Sequence, residues 1–256
     1  MIAIRPAAAR GYADHGWLVA RHSFSFADYY DPAEMGWGVL RVINEDQVAP
    51  AQGFPMHGHR DMEIVTWLLA GELAHKDSLG NGGTLIPGEV QVMSAGRGIL
   101  HSEFNASSSS TCHLLQIWIE PAQRGGQSRY AQQAIAAERW QHGFVPIASG
   151  DGREGSLTIG QDAVVSVARL AAGQTLALPA VAGRKGYLQI ARGALTLHSA
   201  SPPQNSDENS GQISDQMENF SNYTVQQGDG VKIADETKLS ITAQEASEVV
   251  FFDLPF

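Results

Sequence analysis

Residues 53–64 read GFPMHGHRDMEI, and residues 96–105 read GRGILHSEFN. Side chains alternate faces along an extended backbone. His57 and His59 would therefore share one face of a strand, and His101 and Glu103 one face of another. Two neighbouring strands of this kind aim three imidazoles and a carboxylate at one spot. That is a ligand set for a divalent transition metal, and it leaves coordination positions open. A lone HxH is a weak motif, but an HxE on a second strand sharpens it. Glu63 follows His59 by four positions with the same parity, so it is expected to face the same cavity. The glycines around both segments suit strands that bend tightly around a small interior.

Outward from these stretches, short extended segments separated by Gly, Pro, Asn and Asp dominate. VLRVI (39–43), EIVTWLLA (63–70), GEVQVMSA (88–95) and HLLQIWIE (113–120) read as strands. So do LTIG (157–160), AVVSVARL (163–170), GYLQIARG (186–193), GVKIA (230–234) and EVVFFDLP (248–255). AQQAIAAERW (131–140) has helical composition, an extended connector being the alternative. Many short strands with regular turns predict an all-β sandwich or barrel fold. GFPMHGHRDMEIVTWLLAGEL leading to PGEVQVM is weakly echoed by AGQTLALPAVAGRKGYLQIARGALTL leading to QQGDGVKI. This predicts two similar halves, residues 1–140 and 145–256, with no HxH in the second. Residues 199–222 carry four acidic residues and no Lys or Arg. They are expected to be a flexible insert within a hairpin of the second half.

The chain has 256 residues, enough for one large domain or two ordinary ones, and 43% of them are hydrophobic. Its formal charge of −10 excludes a nucleic-acid surface, which needs a basic stripe to displace counterions. The single cysteine, Cys112, cannot form an intrachain disulfide and suits a reducing compartment. The start of the chain lacks the apolar core of a signal peptide, and no segment has the ~18 consecutive apolar residues of a membrane span. A soluble, cytoplasmic protein is expected. Among the other histidines, His15 and His22 are expected to pack or hydrogen-bond near the barrel, and His75, His113 and His142 to be structural or exposed. Phe24, Phe26, Tyr29 and Tyr30 are expected to be core or lid residues, stacking on a planar substrate being the lesser alternative.

The residues at 57–63, ending at Gly71, followed by PGEVQVMSAGRGILHSEFN (87–105), resemble the two motifs of the cupin superfamily. GRGILHSE and HGHRDMEIVTWLLAGE resemble pirin-type bicupins. HSFSFADYYDP (22–32) and VVFFDLP (249–255) resemble the bacterial quercetin 2,3-dioxygenase-like branch. The resemblance spans nearly the whole chain apart from 199–222. It implies two jelly-roll barrels packed face to face. The N-terminal barrel would bind metal through His57, His59, His101 and Glu103, and the C-terminal barrel would be degenerate. Glu63 would stand behind the ligands, and Glu89 replaces the Asp common in the Gly-Asp turn.

Three imidazoles and one carboxylate leave room for a substrate and dioxygen on an octahedral ion. Iron(II) is the first expectation, with Cu, Ni, Mn and Co as alternatives; zinc would bind but not exchange electrons with oxygen. The resemblance implies cleavage of a flavonol such as quercetin, opening its heterocycle with dioxygen and releasing carbon monoxide. Glu103 would be the catalytic base. Two alternatives stay open. One is a non-enzymatic, metal- or redox-sensing regulator with a protein partner, for which the acidic charge favours a basic protein. The other is an oxygenase or isomerase for another small enolisable compound. Two barrels in one chain are compatible with a monomer.

Overall fold

The structure, a computed structural model, describes residues 1–179, 181–200, 220–236 and 238–256. It is built almost wholly of strands. The first half contributes β1 (Ile2–Arg5), β2 (Gly11–Asp14), β3 (Leu18–His22), β4 (Leu40–Val48), β5 (Gly53–His59), β6 (Glu63–Ala70), β7 (Leu73–Asp77), β8 (Gly82–Leu85), β9 (Glu89–Ser94), β10 (Ile99–Asn105), β11 (Cys112–Ile119) and β12 (Arg129–Ala134). The second half contributes β13 (Val145–Ser149), β14 (Leu157–Thr158), β15 (Val164–Leu170), β16 (Thr175–Ala177), β17 (Lys185–Arg192), β18 (Ala194–Ala200), β19 (Phe220–Gln226), β20 (Gly230–Ala234), β21 (Leu239–Ala243) and β22 (Ser247–Leu254). Among the described residues no helix is long and apolar enough to cross a membrane.

Each half pairs a seven-stranded sheet with a four-stranded one. The first half has the order β12-β9-β6-β11-β4-β3-β2 and the small sheet β5-β10-β7-β8. The second has β1-β20-β17-β22-β15-β13-β14 and the small sheet β16-β21-β18-β19. The N-terminal strand therefore crosses over to complete the second half's sheet, Ile2 lying opposite Ile233.

The two large sheets pack against each other. Val65, Leu115 and Ile117 of the first half share one buried cluster with Val165, Val250 and Phe252 of the second. Trp67 Nε1 donates to Glu248 Oε1 across this seam at 2.7 Å. The opposite faces of the same strands fill the barrels. Leu68 joins Leu73, Leu85 and Leu114 inside the first, and Leu188 joins Leu195, Ile241 and Phe251 inside the second. Burial on both faces explains why EIVTWLLA and EVVFFDLP are continuous apolar runs rather than alternating ones. In the second barrel β16 and β21 hold the strand-order places of β5 and β10. There Leu176 faces Ile241 in register, and both belong to the apolar filling.

Two expectations need correction. Residues 131–140 are not an α-helix. Through Ala134 they belong to β12, paired with β9, and Ala137–His142 form a short 3-10 helix. Gln132 bonds the Thr84 carbonyl and Glu89, so sheet pairing overrides the high helical propensity of Ala and Gln. The insert is also shorter than 199–222 at both ends. β18 and β19 pair up to Ala200 and Phe220, with Ser199 opposite Ser221. The flexibility expected of the insert otherwise falls on 201–219, outside the described residues, as does the His142 side chain.

Candidate metal centre

β5 and β10 are direct antiparallel neighbours, with His57 opposite His101 and His59 opposite Ile99. Between the pairs His101–His57 and Glu103–Phe54 the register shifts by one, β5 carrying the extra residue just before His57, a common device for re-aiming a side chain. The imidazole centroids lie 4.4 Å apart for His57–His101, and 4.8 Å for both His57–His59 and His59–His101. The donor atoms of His57, His59 and His101 all lie within 4.8 Å of one another. Close approach of β5 to β10 depends on Gly53, where an added Cβ would run into the Glu103 carbonyl oxygen and Phe104. Gly53→Ala is expected to lower the thermal unfolding midpoint by several degrees, the scale of a roughly 1–3 kcal/mol overpacking cost. An unchanged midpoint would show slack between these strands.

Glu103 groups differently. Its carboxylate lies within 4.8 Å of the donors of His75 and His101, forming a second, fully buried triple that shares His101. This follows from the other edge of β10, which pairs with β7 so that His75 is opposite Glu103 and Asp77 opposite His101. Both Glu103 oxygens accept hydrogen bonds, from Gln91 Nε2 at 3.1 Å and Gln116 Nε2 at 2.8 Å. Burial outweighs these bonds and pushes its carboxyl up to about 7.

His75 is thus no bystander. It is buried, stacked on Tyr130 at 4.4 Å and 14°, with Nε2 3.5 Å from Asp77 Oδ2. The sequence signal was the alternating pair His75 and Asp77 in LAHKD. His113 is a structural partner of Glu45 at 2.9 Å, and His22 bonds Asn44 at 2.8 Å.

Glu63 does not face the donors. It lies on the opposite large sheet, accepts from Ser94 Oγ at 2.5 Å, and has Gly160 of the second half against its carboxylate. It shares the seam-facing side of β6 with Val65 and Trp67. The parity count from His59 fails because it crosses the turn at Asp61, whose φ is +51°.

The residues present fit a divalent cation. His57 Nδ1 donates to the Pro55 carbonyl at 2.7 Å, which leaves Nε2 with its lone pair free. His101 is fully buried and neither of its ring nitrogens has a partner. Burial, then the neighbouring imidazoles, lower His101 to about 3. Burial and His57 lower His59 to about 4. Both rings are therefore neutral near pH 7, the form that binds metal.

The cluster opens onto a cavity of about 690 Å3. Trp17, Phe26, Tyr29, Phe54 and Trp118 give it aromatic walls, and Asn44, Asp46 and Gln116 add polar groups. Of the N-terminal aromatics, Phe24 is core, Tyr30 is exposed, and Phe26 and Tyr29 line the cavity.

Comparison with known proteins finds matches along the whole chain. The Pirin family model matches residues 4–119, and the model for the quercetinase C-terminal cupin domain matches 146–206 and 212–254. The chain is 40% identical over 255 residues to Quercetin 2,3-dioxygenase of Escherichia coli (strain K12), covering 100% of this chain and 99% of that protein. The crystal structure of YhhW from Escherichia coli matches with a TM-score of 0.85 at 40% identity, over 100% of this chain and 98% of that one. The structure of bacterial pirin YhhW in complex with nickel(II) matches with a TM-score of 0.84 at 40% identity, over 100% and 99% of the two chains.

Proposed function

The chain belongs to the pirin family, with the two-barrel cupin fold, and from that premise we propose that it is a metal-dependent dioxygenase that cleaves flavonols such as quercetin. The observation that carries this reading is a cluster of three imidazoles opening onto an aromatic-walled cavity of about 690 Å3. That volume lies within the roughly 300–1,000 Å3 typical of small-molecule sites. Its flat walls suit a planar ring system. A relative of 40% identity crystallised in complex with nickel(II) supports a divalent ion at the donors.

His57, His59, His101 and Glu103 would hold the ion, with iron(II) the first expectation for the native metal. A bound transition ion would supply Lewis-acid polarisation of a hydroxyl and a redox partner for dioxygen. The protein's own part is positioning and proton transfer. Glu103, held by Gln91 and Gln116, takes the proton of the flavonol 3-hydroxyl. Phe26, Tyr29 and Trp118 hold the rings and exclude water. The heterocycle then opens with uptake of dioxygen and release of carbon monoxide. We assign this chemistry to residues 1–140 and none to 145–256, where apolar side chains fill the corresponding place.

The test is oxygen uptake by protein loaded in turn with iron(II), nickel(II), copper(II), manganese(II) and cobalt(II), with quercetin as substrate. Turnover of about 1–10³ s⁻¹ with one of these ions is expected. No uptake with any of them would refute the assignment.

A further inference from the structure

β4 runs along the cavity wall with its side chains alternating. Glu45 points away, to Arg10 at 2.8 Å and His113 at 2.9 Å. Asn44 and Asp46 point into the cavity. Several other polar groups of the wall are engaged, although Trp118 Nε1 is, like Asp46 Oδ1, buried without a partner among the described residues. Asn44 Oδ1 is bonded to His22, Gln116 bridges Thr66 and Glu103, and His57 Nδ1 serves Pro55. Asp46 is the carboxyl in this position: it is 4% exposed, and its Oδ1 is buried with no hydrogen-bond partner among the described residues. A buried carboxyl left unsatisfied is costly, and such groups call for an explanation. No lysine or arginine is among its neighbours on the cavity wall. An orphaned carboxyl facing a cavity is a place prepared for a ligand's polar group.

We propose that Asp46 binds a hydroxyl of the substrate other than the one presented to the donor cluster, and so selects polyhydroxylated planar rings over rings bearing only that one hydroxyl. This deepens the flavonol reading and rests on it. A hydroxyl that meets the carboxyl from the cavity side would give it the partner it lacks, and the aromatic walls offer faces for the rest of the ring system. Burial, reinforced by Glu103 and Glu45, pushes the Asp46 carboxyl up to about 7, so near neutrality it can donate as well as accept.

The experiment compares quercetin with 3-hydroxyflavone, which lacks the additional ring hydroxyls, on the metal-loaded full chain. Asp46→Ala is expected to raise KM for quercetin about 10-fold or more, the scale of one hydrogen bond to an ionisable group. The kcat for quercetin and both constants for 3-hydroxyflavone should change by less than about threefold, and Asp46→Asn should restore part of the quercetin KM. Equal changes for both compounds, or none, would overturn the proposal. Binding is measured separately, by tryptophan fluorescence quenching of the nickel(II)-loaded protein under anaerobic conditions. A wild-type preference for quercetin of about 10-fold or more that Asp46→Ala abolishes upholds the proposal even if turnover is absent and the dioxygenase reading fails. A wild type that binds both compounds equally, or neither, overturns it even if turnover is observed.

Discussion

His101→Ala is expected to lower affinity for nickel(II) by about 100-fold or more, beyond the 10–100-fold loss typical of removing a partner behind a metal ligand. His101 is the residue common to both donor triples and is fully buried. His57, His59 and His75 all stand around it, with ring centroids 4.4, 4.8 and 5.3 Å away. Without it, His57 and His59 remain as two half-buried donors on one strand, and Glu103 with His75 as a separate pair on the inner side. Of the proposed ligand set His57, His59 and Glu103 remain, but the Glu103 carboxylate does not group with the other two donors once His101 is gone. Backbone pairing of β10 with β5 and β7 does not depend on the side chain, so the barrel should still form. Calorimetric titration with nickel(II), alongside circular dichroism to check folding, measures the effect. Wild-type affinity in a folded His101→Ala protein would show that the ion is held elsewhere.

What could be read from the sequence was what alternation alone determines. HxH and HxE each place their own residues on one face of one strand, and the structure brings the two strands together. The same logic failed for Glu63, because parity is reset at a turn, and the backbone reverses at Asp61. His75 and Asp77 were hidden for another reason. They reach the centre through the pairing of β7 with β10, a contact between segments that the local sequence does not announce. Asp46 sits in VINEDQV, where four successive polar residues look like an exposed edge. Only the burial of β4 between β3 and β11 shows that Glu45 and Asp46 serve opposite sides. Likewise β12 looks helical until its partner β9 is known. The apolar runs, by contrast, announced strands, and the seam between the barrels accounts for their burial on both faces.

Glu103→Gln is expected to retain metal while losing about 10²–10⁴-fold in turnover, the range of one general base. The hydrogen-bond chain around the carboxylate explains why the conservative change is informative. The Gln91 amide nitrogen points toward Glu103 Oε1 and Thr66, with the Tyr130 hydroxyl 3.3 Å from Gln91 Oε1 and 3.0 Å from Gln132 Oε1. Thr66 donates to Gln116 Oε1, which turns the Gln116 amide nitrogen toward Glu103 Oε2. Two donors thus converge on a group that must accept at both oxygens. An amide at position 103 can accept from one of them but presents its own donor to the other, so one link of the chain breaks. It keeps an oxygen for a cation and loses the ability to take a proton. Metal content measured on the same samples as oxygen uptake separates the two effects. Retained metal with turnover at the wild-type level would remove Glu103 from proton transfer. Loss of metal in parallel with loss of turnover would make it a ligand whose basicity is not needed.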